Sequence, residues 1–252
     1  MMHTLKINGS TVPDIYIDTA ESFDKPKKNV ETVNVPGRNG DLVIDYGTFQ
    51  NVLIKYPCYI RGSFESKFQA LLNLLGTLQG YQRIECSNDA THYRLGIPVL
   101  PQAPDVRRIN EDGFFDLTFN CKPQRFLLSG ETIIYVSNGQ TITNPTGFDA
   151  APEIIYDFDG TYTFKFENDI NAAEYVQGTA VIDGIFHNTL IIDSGLMECY
   201  DFDSGISDPN PANEAVTLSP NRFPILYGTR GNNKTKITAN ASFRMKPNWW
   251  EL

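Results

Sequence analysis

The stretch FFDLTFNCK, residues 114–122, alternates apolar and polar side chains over its whole length. Consecutive side chains of a β-strand point to opposite faces, so this pattern predicts a strand with one face in a core and the other in water. The apolar face comprises Phe115, Leu117, Phe119 and Cys121, and the polar face comprises Asp116, Thr118, Asn120 and Lys122. Sheets with one solvated face are commonly antiparallel, which favours a fold built from antiparallel strands.

Three other stretches extend this reading along the chain. KITANASFRMK, residues 236–246, has the same alternation and predicts a strand. IIYDFDGTYTFKF, residues 154–166, predicts a hairpin that turns at Asp159-Gly160. VIDGIFHNTLIID, residues 181–193, predicts another hairpin, with its turn near Asp183-Gly184 or His187-Asn188.

One segment has helical periodicity instead. SFESKFQALLNLLGTLQG, residues 63–80, places its large apolar side chains at positions 64, 68, 71, 72, 75 and 78. Ser63 is suited to cap the N-terminus, Glu65 lies in the first turn, and Gly80 suits a left-handed C-terminal position. This pattern predicts the one substantial helix, with an apolar face that packs on a sheet.

Composition and the positions of proline and glycine residues predict two domains. The chain has 252 residues, of which 41% are apolar and 20% charged, and it contains 15 prolines and 19 glycines. These values favour a packed, turn-rich, mainly β protein. Pro123 ends the clearest strand, Ser129-Gly130 follows a short apolar patch, and only strand and turn patterns come after it. We therefore predict an α+β domain over residues 1–130 and a β-sandwich over residues 131–252.

Charge and hydropathy narrow the classes of partner. The formal net charge is −9, and the small basic clusters at residues 25–28 and 107–108 do not form a basic face typical of nucleic-acid binders. No apolar run reaches the length of about 18 residues that spans a bilayer, so no membrane insertion is predicted. The N-terminal residues lack the apolar core of a signal peptide, which predicts that the chain stays in the cytoplasm where it is made.

Motifs for catalysis and cofactor binding do not match this sequence. Gly37, Gly40 and Gly47 lack the spacing and the following lysine of a phosphate-binding loop, and there is no nucleophile elbow. The three histidines, at positions 3, 92 and 187, are scattered, and the four cysteines, at 58, 86, 121 and 199, are far apart. We therefore predict no enzyme activity, no cofactor and no zinc site, with the cysteines reduced and mostly buried.

Two short acidic motifs invite a calcium hypothesis. Asp157 and Asp159 form one D-x-D pair, and Asp201 and Asp203 form another. In both motifs the glycine comes too early for an EF-hand loop, and no glutamate stands at the closing position. Turn aspartates beside a glycine are the favoured interpretation, and no metal is predicted.

A turn-rich corner stands between two strand-like runs in NVPGRNGDLVIDYGTF, residues 34–49. Glycine and asparagine allow a sharp turn, and an arginine at the tip presents a planar set of donors for a carboxylate or a carbonyl. Two interpretations follow: an intrachain hairpin with a solvated arginine, or a hairpin that contacts another subunit. The residues concerned, which we call the hairpin corner, are Pro36, Gly37, Arg38, Asn39 and Gly40.

Taken in order, several stretches resemble the distal tail protein (Dit) family of long-tailed siphophages. No single one is specific, but their succession covers nearly the whole chain. They are VPGRNGDL with DYGTFQN, the predicted helix with YQRIECSND and HYRLG, FDLTFNCKPQRFLLSG, ITNPTGFDAAPEI, IIDS and FPILYG.

The resemblance implies a fold and a role. It implies a tail-tube-like β-sandwich with one helix and a protruding hairpin, followed by a galectin-like β-sandwich. It also implies a structural hub in the virion tail tip, or baseplate: a homo-oligomeric ring, expected to be a hexamer, that joins the tail tube to the host-adsorption device. The expected partners are the tail tube protein, the tail-associated tip protein and receptor-binding or baseplate proteins.

Two further expectations come with the hub hypothesis. DNA would pass through the ring without specific binding, and six chains would carry a formal charge of 6 × −9 = −54, so an acidic lumen is expected to repel the duplex. Asp41, Asp45 and Asp116 are the candidates for the lumen. The alternative function is a carbohydrate-binding tail module that recognises host surface saccharide, for which Trp249 and Trp250 could offer stacking surfaces.

Overall fold

The computed structural model describes residues 3–17, 21–22, 24–101, 112–182, 189–201, 210–228 and 233–252. Within these residues the chain is mainly β, with 21 strands, one α-helix and two 3-10 helices, which confirms the predicted fold class. The chain divides into two compact units, Met1–Arg125 with Leu252, and Phe126–Glu251.

The first unit contains nine strands and the helix. They are β1 (Leu5–Ile7), β2 (Ser10–Thr11), β3 (Tyr16–Ile17), β4 (Lys28–Val33), β5 (Leu42–Phe49), β6 (Val52–Ile60), α1 (Phe64–Thr77), β7 (Gln82–Cys86), β8 (His92–Val99) and β9 (Gly113–Leu127). Seven of the strands are neighbours in the order β2-β1-β7-β8-β9-β6-β3, and β4 and β5 form a separate two-stranded sheet. A backbone bridge between His3 and Ile17 links the residues before β1 to β3, the strand at the other end of this order.

The alternation of residues 114–122 is confirmed, because β9 buries one face and exposes or half-buries the other. Its antiparallel partner β6 alternates in the same way, and the two strands are in register over nine residue pairs from Val52↔Cys121 to Ile60↔Gly113. Matching registers place both apolar faces on the same side, so the two strands supply much of the core of this unit.

The helix packs its predicted apolar face on this core, but its ends differ from the prediction. Phe64, Leu71 and Leu75 are buried. Ser63 precedes the helix with a left-handed backbone (φ 51°), and its side chain makes no capping hydrogen bond, so the predicted cap is wrong. The helix ends at Thr77, and Gly80 takes a left-handed φ of 69° three residues later, where the chain turns towards β7.

The second unit is built from two antiparallel sheets. Its strands are β10 (Ile134–Val136), β11 (Thr141–Thr143), β12 (Glu153–Tyr156), β13 (Gly160–Asn168), β14 (Tyr175–Ile182), β15 (Leu190–Asp193), β16 (Glu198–Asp201), β17 (Asn210–Pro211), β18 (Val216–Ser219), β19 (Lys234–Ala239), β20 (Phe243–Lys246) and β21 (Trp250–Glu251). One sheet has the order β10-β20-β12-β15-β16-β17, and the other has the order β11-β19-β13-β14-β18. Both sheets contribute to one apolar cluster, so this unit is a sandwich around a single core.

Both hairpins predicted in this unit are wrong, and so is the single strand predicted over residues 236–246. β12 and β13 flank Asp159-Gly160 but lie in different sheets, so this turn carries the chain across the sandwich and is not a hairpin. β14 and β15 also lie in different sheets, and the proposed turn at residues 183–188 falls outside the described residues.

The stretch 236–246 forms two strands, β19 and β20, one in each sheet. β19 ends at Ala239, and the side chain of the next residue, Asn240, accepts a hydrogen bond from the Thr163 backbone N–H (2.9 Å) and donates one to the Thr161 carbonyl (2.8 Å). Apolar side chains before and after the crossing still face the same core, which is why the alternation looked continuous.

The cysteines and the terminal tryptophans have structural positions. All four cysteines are free and buried, as predicted, and burial raises the pKa of Cys58, Cys121 and Cys199 to about 12. Trp249 lies in the core of the second unit. Trp250 stacks on Phe148 at 4.5 Å between ring centroids. The helix that the structure describes is too short to cross a membrane.

Candidate interaction surface

The hairpin of β4 and β5 is the most unusual element of the first unit. Its two strands pair antiparallel from Lys28↔Phe49 to Val33↔Leu42, with a register shift between Lys28 and Val30. Neither strand is part of any other sheet. Every residue from 30 to 48 is exposed, so nothing among the described residues covers this hairpin.

Its composition does not match such exposure. Large apolar side chains stand in water at seven positions: Val30, Val33, Val35, Leu42, Val43, Ile44 and Tyr46. An isolated two-stranded hairpin is at best marginally stable in water, since it has no core on which to pack. Apolar patches of this kind on a folded protein mark interaction sites.

The two faces of the hairpin differ. Directly paired residues share a face, so Leu42, Ile44 and Tyr46 stand with Val33 and Glu31 on one side, which we call the apolar face. On this face the Tyr46 hydroxyl donates a hydrogen bond to the Glu31 carboxylate at 2.6 Å. The opposite face is more polar.

On that opposite face, Val30 and Val43 stand beside Thr32 and Asp45. Asp45 accepts hydrogen bonds from the Gly47 backbone N–H and from the Lys28 ammonium, and both lower the pKa of its carboxyl group. These contacts hold Asp45 within the hairpin and fix the turn of backbone around Gly47.

The hairpin corner joins the two strands, as the sequence indicated. Gly37 and Gly40 have left-handed φ values of 85° and 77°, which glycine adopts without strain, whereas Asn39 does not have a positive φ. The Arg38 backbone N–H donates to the Val35 carbonyl at 3.1 Å. The Arg38 side chain makes no ion pair with the described residues and stands at the tip of the hairpin.

The residues considered for metal binding or catalysis do not converge. Within the described part of the chain, no three His, Cys, Asp or Glu side chains are grouped as metal ligands. Asp157 is held by a two-point contact with the Arg244 guanidinium, His92 contacts Asp89, and Asp203 and His187 lie outside the described residues. The geometry therefore gives the acidic motif at Asp157 a structural partner.

A polar groove on the five-stranded sheet bears on the carbohydrate alternative. It has a volume of about 620 Å³ and is lined mainly by Thr, Ser, Gln and Asn side chains from β13, β14, β18 and β19. Its one aromatic lining residue, Phe164, is buried in the core. The groove therefore lacks the exposed ring on which a sugar commonly stacks, and Trp249 and Trp250 are engaged elsewhere.

Sequence reasoning located the hairpin corner but missed the surface beside it. The alternation of Leu42, Ile44 and Tyr46 is visible in LVIDYG, but only the hairpin corner was considered for a contact with another subunit. The pattern specifies a face that seeks apolar contact, but it does not specify whether the same chain provides that contact.

The fold of the whole chain matches solved structures, although its sequence diverges from them. Neither a protein-family model nor a curated protein matches the sequence. The crystal structure of the Dit protein of phage SPP1, described as a paradigm of the hub adsorption apparatus in phages that infect Gram-positive bacteria, superposes with a TM-score of 0.68 at 11% identity. That match covers 97% of this chain and 98% of the other.

Chains of the phage P2 baseplate show the same likeness. The baseplate in its activated conformation with Ca matches with a TM-score of 0.59 at 10% identity, over 97% of both chains. The form with Sr matches with a TM-score of 0.53 at 8% identity, over 97% of this chain and 96% of that chain. The chain therefore has a Dit-like fold over nearly its full length.

Proposed function

We propose that this chain is the distal tail hub of a long-tailed bacteriophage, a structural and non-enzymatic component of the virion tail tip. The observation that carries the proposal is the match to the SPP1 hub protein over 97% of this chain, which takes in both of its units. A fold shared over part of the chain would support only a common module.

The hub is proposed to be a closed ring of six copies. An uncovered apolar hairpin supports this arrangement, since a neighbouring copy would supply the contacts that the hairpin lacks within its own chain. The hairpin corner lies at this contact, where Arg38 donates to a carboxylate or a carbonyl of the neighbour. Residues 1–130 are proposed as the ring-forming, tail-tube-like domain and residues 131–252 as the galectin-like domain.

The ring is proposed to join the tail tube protein to the tail-associated tip protein and to receptor-binding or baseplate proteins. DNA would pass through its centre without being held, because the chain carries a net charge of −9 and an acidic lumen repels phosphates. Asp41, Asp45 and Asp116 remain candidates for this lumen. The chain would be made in the host cytoplasm and built into the tail there.

Mass measurement of the native particle tests the ring. Six chains of 28.3 kDa give 6 × 28.3, roughly 170 kDa, and negative-stain images should show closed rings. The variant Arg38→Ala should shift the equilibrium towards monomer while leaving the circular dichroism spectrum unchanged. Monomer alone at high concentration, together with no ring in purified tails, would refute the proposal.

A further inference from the structure

An apolar groove runs beside the helix of the first unit. It has a volume of about 580 Å³ and lies between α1 and the segment that follows β1. Its lining is mainly apolar, from Ile7, Val12, Pro13, Leu71, Leu74 and Leu78. Of the large helix residues here, Leu74 remains 38% exposed, although it lies one turn after Leu71.

The rim of the groove carries an ion pair. The Lys67 ammonium lies 3.1 Å from the Asp14 carboxylate and donates a hydrogen bond to the Arg61 carbonyl at 2.8 Å. Asp14 is half exposed, so this pair is open to water and contributes little to stability. It places one ammonium and one carboxylate side by side at the opening of the groove.

The first unit therefore has two uncovered apolar surfaces, the groove and the apolar face of the hairpin. Within one chain the hairpin does not occupy the groove, because no hairpin residue lines it. A heterologous contact, in which one surface of a copy meets a different surface of the next, would cover both at once. Repeated from copy to copy, such a contact closes a ring when the rotation between neighbours divides a full turn.

The two surfaces agree in length. At about 1.5 Å per residue, the helix from Lys67 to its end at Thr77 extends roughly 15 Å along the groove. At about 3.4 Å per residue, the strand from Leu42 to Tyr46 extends roughly 14 Å. Three apolar side chains of β5 can therefore lie along the length of the groove.

The charged groups of the two surfaces would lie close together. The apolar face carries one carboxylate, Glu31, directly opposite Ile44 on the neighbouring strand. The rim carries the Lys67 ammonium already paired with Asp14, so a seated Glu31 carboxylate would share this ammonium with Asp14 while apolar side chains meet apolar side chains. A charged contact of this kind bears on the register of an interface more than on its affinity.

We propose that the apolar face of the β4–β5 hairpin of one copy, formed by Leu42, Ile44 and Tyr46, seats in the groove between α1 and residues 7–14 of the next copy. This inference rests on the proposed ring and names the surface that receives the hairpin. The hairpin is then stable in the assembly because its neighbour supplies the missing core.

Cross-linking tests the contact. The double variant Ile44→Cys/Leu74→Cys, treated with a short bismaleimide, should give chains joined into dimers and higher multiples. The natural cysteines do not compete, because all four are buried. The cross-linker is applied both to the purified protein and to purified tail particles. Native mass measurement checks that each variant still forms rings.

Two matched controls use the opposite sides of the same elements. Val43→Cys/Leu74→Cys moves the hairpin thiol to the other face, where Val43 is 60% exposed. Ile44→Cys/Asn73→Cys moves the helix thiol to an exposed residue that does not line the groove. Both should give at least tenfold less interchain product than Ile44→Cys/Leu74→Cys.

The outcomes separate this inference from the proposed function. If rings form normally but Ile44→Cys/Leu74→Cys gives no cross-linked product, or no more than the controls, the seating of the hairpin in the groove is refuted. The hub proposal is unaffected by that result. Product between the groove and a different tail protein also refutes that seating. Absence of rings in solution and in tail particles would instead refute the hub proposal, and the inference with it.

Discussion

Replacing Arg94 with methionine should destabilise the first unit by about 3–5 kcal/mol. Arg94 lies on β8 directly opposite Ile84, a core residue, and it is only 7% exposed. Its guanidinium donates to one oxygen of Glu21, from Nε at 3.2 Å and from Nη2 at 3.1 Å. The Tyr56 hydroxyl donates to the other oxygen at 2.9 Å.

The size of the loss follows from what remains after the change. Methionine keeps the apolar bulk of the arginine side chain but leaves the largely buried Glu21 carboxylate with Tyr56 as a donor. A buried charge without its partner costs far more than the pair contributes, because desolvation is no longer offset. Tyr56→Phe removes a single hydrogen bond to a charged acceptor and should cost less, about 1.5–3 kcal/mol.

Urea denaturation at fixed protein concentration measures these changes. Both tryptophans lie in the second unit, so their fluorescence serves as an internal control while circular dichroism follows the whole chain. Lys28→Met is the matched control, because the Lys28–Asp45 pair is largely exposed and should contribute little to stability.

A double variant decides whether the charge itself matters. Glu21→Gln/Arg94→Met leaves no ion in this part of the core and should recover most of the stability lost in Arg94→Met. A loss below about 1 kcal/mol for Arg94→Met would contradict the reasoning, since it would mean that water already solvates the carboxylate. A double variant no more stable than the single one would contradict it as well.

Two further predictions concern pH and packing. Burial alone would raise the pKa of Asp89, but hydrogen bonds from Arg125, His92 and Thr91 hold it well below the usual value. The stabilising effect of the Asp89 carboxylate is therefore present above about pH 4 and is lost as pH falls through its folded-state pKa. Asp89→Asn should flatten the decline of the urea midpoint on acidification. An unchanged decline would show that other carboxyl groups cause it. Gly130→Ala should destabilise the second unit by at least about 1 kcal/mol, because the added methyl group would lie 2.4 Å from a backbone nitrogen. The control Gly147→Ala places its methyl group within 4 Å of nothing and should leave the urea midpoint, followed by Trp fluorescence, unchanged. Equal midpoints for the two variants would contradict this reasoning.

Local pattern determined the secondary structure of this protein well. Alternation in residues 114–122 reflects the geometry of a single strand, which needs no information about its neighbours. The helix was equally visible, because its apolar side chains recur within one element. Its cap was predicted wrongly at Ser63, since residue preference describes the average helix and this backbone enters the helix in a left-handed conformation.

Strand pairing was decided only by the tertiary structure. A turn between two apolar strands has the same sequence pattern whether the chain folds back within one sheet or crosses to the opposite sheet. Both arrangements point the apolar side chains into one core. Asp159-Gly160 and the break at Asn240 are both crossings of this kind.

The candidate surface shows the same division. The sequence determined that a sharp corner separates two strands, since the glycines at 37 and 40 are required by local backbone geometry. Only the tertiary structure showed that this hairpin stands alone, with Leu42, Ile44 and Tyr46 in water and an unfilled groove beside α1. Periodicity records which side chains avoid water, whereas what covers them depends on contacts between residues far apart in the chain or on another molecule.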